Sequence, residues 1–132
     1  MAAKKRKRKK RYHTGVHVSP KTGQECHYRS GWELAYMQYL DENPDVVGYR
    51  YEDVVIRYVS NKKTGKTRQY WPDFLVQQRD GQQLLVEIKP KRKLDQDRVQ
   101  KKLKAAAEWC RAHQVTLMVL TEKELKLLGL LK

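Results

Sequence analysis

A chain of 132 residues, 39% hydrophobic and 33% charged, is long enough for one domain with its own core and far too polar to be a membrane protein. No apolar stretch approaches a transmembrane span, and none follows the basic start as a secretory signal requires. Cys26 and Cys110 stand far apart without framework spacing, so a reducing, intracellular setting is expected. The formal net charge is +14, which points to nucleic acid as partner and leaves an anionic membrane surface as the plainer competitor.

Residues 4–11 are eight consecutive cations, among them Lys4, Arg6, Arg8 and Arg11; they account for +8 of the +14, and the remainder is still basic at +6. Such a run repels itself and buries nothing. Residues 1–25 lack periodicity and carry Gly15, Pro20 and Gly23, so they read as a disordered basic arm and loop that grips phosphate, ahead of one folded domain over 26–132. A helix is predicted from Ser30, with Trp32, Tyr36, Tyr39 and Leu40 at helical spacing and Asn43-Pro44 ending it. Residues 46–59 are β-branched and aromatic and read as one or two strands. After a polar turn over 61–66, residues 68–78 read as the next strand. Asp80-Gly81 is a hairpin signal before the strand 83–89. Pro90 opens a link to a second helix over about 95–113, striped by Val99, Leu103, Ala106, Ala107 and Cys110. The continuous run 115–120 suits a strand covered on both faces, and strand, helix, buried strand is a parallel crossover. Thr121 with Glu124 forms a capping box for a final short helix. The order α-β-β-β-β-α-β-α predicts an α/β fold with a mixed central sheet flanked by helices.

The chemistry concentrates in Tyr70-Trp71-Pro72-Asp73-Phe74 and Val86-Glu87-Ile88-Lys89-Pro90. Side chains alternate along a strand, so Glu87 and Lys89 project together while Val86 and Ile88 take the other face. Two carboxylates can hold a hard divalent cation, and a neighbouring ammonium can steer a water or a phosphate, a combination suited to phosphodiester hydrolysis. The plainer reading is a surface ion pair with Lys89. Register adds a condition. With a two-residue turn at Asp80-Gly81, Asp73 would fall opposite Ile88 and face away from Glu87 and Lys89; a three-residue loop or a bulge between Phe74 and Leu85 is therefore required.

Together with Tyr28-Arg29-Ser30-Gly31-Trp32-Glu33, these segments resemble the PD-(D/E)xK nuclease superfamily, and within it the TnsA-like branch of transposase endonuclease subunits and tailed-phage head-completion nucleases. The resemblance runs from about residue 28 to 128. It implies a restriction-endonuclease-like core and a Mg²⁺-dependent DNA endonuclease, with Mn²⁺ as a substitute metal. Asp73 and Glu87 would be the metal-binding acids, joined by the Ile88 carbonyl. Lys89 would be the catalytic lysine and Glu33 the helical glutamate that completes the acidic cluster. It also implies a phage or mobile element as source, a host-cell cytoplasmic location if phage-encoded, and a second copy or an assembly protein as partner.

Glu33 has a second explanation, because Ser30 and Glu33 spell a capping box in which Glu33 would bond back to the Ser30 amide. Arg29, at the start of that helix, is a candidate phosphate contact. Lys91, Arg92 and Lys93 would place cations beside a bound phosphate, and Lys101 and Lys104, with Arg98 and Arg111, form a candidate DNA-facing flank on the second helix. His13, His17, Cys26 and His27 raise zinc as a further ligand, although their spacing matches no closed structural site. The competing function is a basic DNA-binding protein without catalysis.

Overall fold

The computed structural model describes residues 14–132. The tail residues Lys4, Arg6, Arg8, Arg11 and His13 lie outside that range. The central sheet has four strands in the order β3 (Val46–Tyr51), β6 (Phe74–Gln78), β7 (Gln83–Ile88) and β8 (Thr116–Leu120). The first two pairings are antiparallel, and β7 runs parallel to β8 through the crossover helix α2 (Asp97–His113). The mixed central sheet is covered on both faces by helices, as the sequence led us to expect.

Alternation along the strands divides the core into two layers. Phe74, Val76, Val86, Ile88 and Leu120 pack against Tyr36, Met37 and Leu40 of α1 (Gly31–Glu42) and Leu125 of α3 (Glu122–Leu127). Leu85 turns the other way, onto Ala106 and Cys110 of α2. Phe74, fully buried, lies edge-on to Tyr36 and Tyr49 with centroids 5.2 and 6.1 Å away, so the residue after Asp73 is anchored in the densest part of the core. The final helix carries the capping box expected of Thr121 and Glu124.

Three local expectations change. The single strand expected over 68–78 is broken at Trp71-Pro72 into β5 (Lys66–Tyr70) and β6, because proline lacks the amide that a continuous ladder needs. The segment 46–59 holds the two strands that the sequence allowed, β3 and the start of β4 (Ile56–Asn61), but their pairing differs. Strand β4 pairs only with β5, so the two form a separate hairpin packed on α2 rather than part of a single meander. Residues 15–28, assigned largely to arm and loop, form the hairpin of β1 (Gly15–Val18) and β2 (Glu25–Tyr28). Here the apolar pattern misleads. Val16 and Val18 face solvent, whereas His17, Cys26 and Tyr28 turn inward. The Gln24 side chain secures this hairpin by bonding both the amide and the carbonyl of Tyr51, each at 2.9 Å.

Candidate functional site

The β6–β7 connection decides whether the two key carboxylates meet. Phe74 pairs with Val86 and Gln77 with Gln83, so the loop is Arg79-Asp80-Gly81, three residues rather than two. The Gly81 amide closes a turn onto the Gln78 carbonyl at 3.0 Å, and Gly81 has φ +91°, a left-handed conformation that suits glycine. The Asp80 carboxylate accepts from the Gln82 amide at 2.9 Å. Carried one residue further, this register sets Asp73 opposite Glu87. The irregularity that the sequence demanded is present.

Asp73 and Glu87 are 8% and 6% exposed, and each is held by a short bond. Asp73 Oδ2 accepts from the Ile88 amide at 2.7 Å, and Glu87 Oε1 from the Tyr70 hydroxyl at 2.8 Å. Lys89 Nζ lies 3.5 Å from Glu87 Oε2. A surface ion pair is thereby excluded, since neither acid is at the surface. Burial pushes the Asp73 carboxyl well above its ordinary range, and the negative charges of Glu87 and Glu33 push it further. Burial also raises Glu87, although the Tyr70 hydroxyl and Lys89 pull it back. The Tyr70 hydroxyl is raised in turn, by its own burial and by the charge of Glu87.

Glu33 reaches the same cleft from α1. The Ser30 hydroxyl accepts from the Glu33 amide at 3.2 Å, which is half of the expected box. The returning bond is different: Glu33 Oε1 accepts from the amide of Arg29, not Ser30, at 2.9 Å, and from the Tyr51 hydroxyl at 2.8 Å. The carboxylate is thus turned toward the end of β3 and the acids beyond it. Arg29 lines the same cleft, with its guanidinium forked onto Glu52 at 2.6 and 3.1 Å. Glu52 is an acid that the sequence reading passed over. Its φ is +51°, uncommon for a residue with a side chain, and its amide donates to the Asp73 carbonyl at 2.9 Å. Burial raises its carboxyl more than Arg29 lowers it.

Together these groups line an open cleft of about 570 Å³ that holds Asp73, Glu87, Ile88 and Lys89 beside Glu33 and Glu52. The donor set suits a hard divalent cation. Two carboxylates share a buried site, and burial and mutual repulsion make their charge costly until a cation offsets it. Among the described residues no three His, Cys, Asp or Glu side chains come together closely enough to hold a metal ion, so Glu33 does not join Asp73 and Glu87 as a third ligand in this arrangement.

The remaining candidates separate. Lys91, Arg92 and Lys93 form a 3₁₀ turn after β7, pinned by the Lys91 amide to Glu122 of α3 at 2.8 Å, and they do not line the carboxylate cleft. Lys101 lines a neighbouring cleft with Arg98, whereas Lys104 lies farther along α2 near Trp109. His17 is paired with Asp41 at 2.7 Å, and burial raises the Cys26 thiol to about 11. His27 faces solvent beside Glu25. These three do not converge on a zinc site, and His13 lies outside the described residues. Besides Glu52, the sequence reading missed Tyr70, Trp71 and Lys102 as cleft residues. Tyr70-Trp71 directly precedes Pro72-Asp73, and that adjacency was the available signal; Lys102 gave none, being one cation among many on α2.

Residues 43–122 match the family model described as TnsA-like endonuclease N terminal, a span that contains Asp73, Glu87 and Lys89 but not Glu33. Over 65 residues the chain is 40% identical to the head completion nuclease of Enterobacteria phage T4, an alignment covering 49% of this chain and 43% of that relative. The chain therefore spans less than half the length of the curated relative it matches.

Proposed function

The chain belongs to the TnsA-like endonuclease family, and on that premise we propose that it is a Mg²⁺-dependent endonuclease that hydrolyses phosphodiester bonds of DNA. The observation that carries this reading is the buried pair Asp73 and Glu87, held on one face of an irregular hairpin with Lys89 beside them in an open cleft.

Asp73 and Glu87 would hold Mg²⁺, or Mn²⁺ in its place, with the Ile88 carbonyl as a further oxygen. When bound, the metal lowers the pKa of a coordinated water and offsets charge on the scissile phosphate. Lys89 orients the attacking water or neutralises charge gathering on the phosphate oxygens. Tyr70 and the Ile88 amide fix one oxygen of each acid, so the remaining oxygens are already aimed when substrate arrives. Glu33 adds negative charge at the cleft edge, where it raises the cost of leaving Asp73 charged without a cation.

The net charge of +14 supports a nucleic-acid substrate, and the relative named a head completion nuclease supports a place in phage assembly. A basic DNA-binding protein without catalysis is the rival. It leaves unexplained why two carboxylates would be buried where phosphate must approach.

Of duplex, branched and single-stranded DNA incubated with the protein and Mg²⁺, at least one should be cut, with cleavage abolished by EDTA and by Asp73→Ala. Cleavage that survives either change would overturn the proposed metal site. Binding without cleavage on every substrate would favour the rival.

A further inference from the structure

Beside the carboxylate cleft lies a second one, of about 670 Å³, between the β4–β5 hairpin and the start of α2. It is strongly cationic. Lys66, Arg68, Arg98, Lys101 and Lys102 line it, against Asp97 as the one acid of the lining. Lys101 acts as a structural tie, since its ammonium donates to the Ser60 carbonyl at 2.7 Å and pairs with Asp97 at 3.1 Å, joining α2 to β4. The side chains of Lys66, Arg68 and Arg98 make no bond or ion pair among the described residues. Lys102 lies over the Tyr70 ring, 5.6 Å from its centroid. Burial lowers its pKa, and Lys89, Arg98 and Arg68 lower it further, with Glu87 offsetting only part of their crowding.

Trp71 joins the two clefts, lining both. It is 45% exposed, whereas Trp32 and Trp109 pack on the core. Its neighbour Pro72 fixes φ, and Asp73 follows, so the indole is held two residues from a metal-binding acid. An exposed indole sharing a cleft with unpartnered cations offers both halves of single-strand recognition: a π-face for a base and charge for its backbone. A duplex presents no free base face along its length.

We propose that the basic cleft holds an unpaired DNA strand, with a base stacked on Trp71 and the backbone running along Arg68 and Arg98. This rests on the nuclease reading only in placing the scissile phosphate next to the stacked base. The substrate class is then DNA with a single-stranded segment at the cut: a flap, a frayed end or a fork.

The test is equilibrium binding in EDTA, which removes cleavage from the measurement. Three fluorescent probes are compared: a short oligothymidine, the same oligomer with abasic spacers, and a blunt duplex. The wild-type protein should prefer thymidine to abasic strand on the order of tenfold. Trp71→Leu should erase that preference and leave duplex affinity unchanged, while Trp71→Phe should keep most of it. Arg68→Ala and Arg98→Ala should weaken thymidine and abasic strands alike and flatten the salt dependence by about 0.7 each. A base preference that persists in Trp71→Leu, or an equal loss on duplex, overturns the proposal. Because no metal is present, these results stand apart from the cleavage assay. Stacking without cleavage would break the nuclease reading alone, and cleavage without base preference would break this one alone.

Discussion

The two clefts that meet at Trp71 are opposites in how their charge is managed. In the carboxylate cleft, Asp73, Glu87 and Glu33 each have an oxygen held by a protein donor, and the first two are nearly inaccessible to water. In the basic cleft, Lys66, Arg68 and Arg98 stand exposed without partners among the described residues. Preorganisation is worth most where charge develops during a reaction, because the protein then has no reorganisation left to do. Exposed cations suit contact with a long polyanion, since they lose little on binding and tolerate varied geometry. The chain therefore fixes the groups suited to chemistry and leaves solvated those suited to binding.

The strongest way to break this division is Lys89→Ala. Cleavage should fall on the order of 10²–10³-fold, with affinity for DNA in EDTA nearly unchanged. A parallel loss of affinity would make Lys89 a binding residue like those next door.

Glu33→Gln comes second. The amide oxygen can still accept from Arg29 and Tyr51, so melting should hold while cleavage falls about tenfold or more. Full activity with unchanged melting would leave Glu33 only its helix-end role.

Tyr70→Phe strips the hydroxyl from Glu87 and leaves a buried acceptor short, which should cost about 1–3 kcal/mol in denaturant unfolding. Arg98→Ala, on the other side of the division, should cost almost nothing in the same measurement.

The smallest expected effect is also the most diagnostic. Asp73 and Glu87 have folded pKa values above their ordinary 3.8 and 4.5, so between those values and the raised ones the folded state holds more protons than the unfolded. Their contribution to stability is therefore greatest at low pH and declines as pH rises from about 4 through the raised values. Asp73→Asn keeps an oxygen for the Ile88 amide but carries no charge. It should melt a few degrees above wild type at pH 7, with the difference closing toward pH 4. Mg²⁺ should raise wild-type melting at pH 7 and do little for the variant.

How far the sequence led is clearest at the β6–β7 hairpin. Counting residues from Asp80-Gly81 showed that a plain turn would split the acids, and the structure carries the extra residue that reunites them. Period-two reasoning succeeds there because the flanking residues are apolar and both faces are buried. At β1–β2 no period was recognised, because the inward positions are His17 and Cys26 and the outward ones are valines. The sequence reading also carried one strand through Trp71-Pro72, although proline supplied a reason to stop. Glu33 was legible as an acid and as a helix cap. Its bond to Tyr51 was not, because Tyr51 is eighteen residues away on a separate strand. Glu52 was invisible for a related reason: a left-handed backbone at a non-glycine residue leaves no mark in composition.

The Trp71-Pro72 break also has an evolutionary consequence. Since β4 and β5 pair only with each other, the hairpin can be lengthened, shortened or recharged without disturbing any hydrogen bond of the four-stranded sheet that carries the acids. Lys101 and the apolar contact with α2 are its moorings. On the proposed single-strand reading, a lineage could therefore retune its substrate by editing residues 56–69, while Tyr70, Asp73, Glu87 and Lys89 stay as they are.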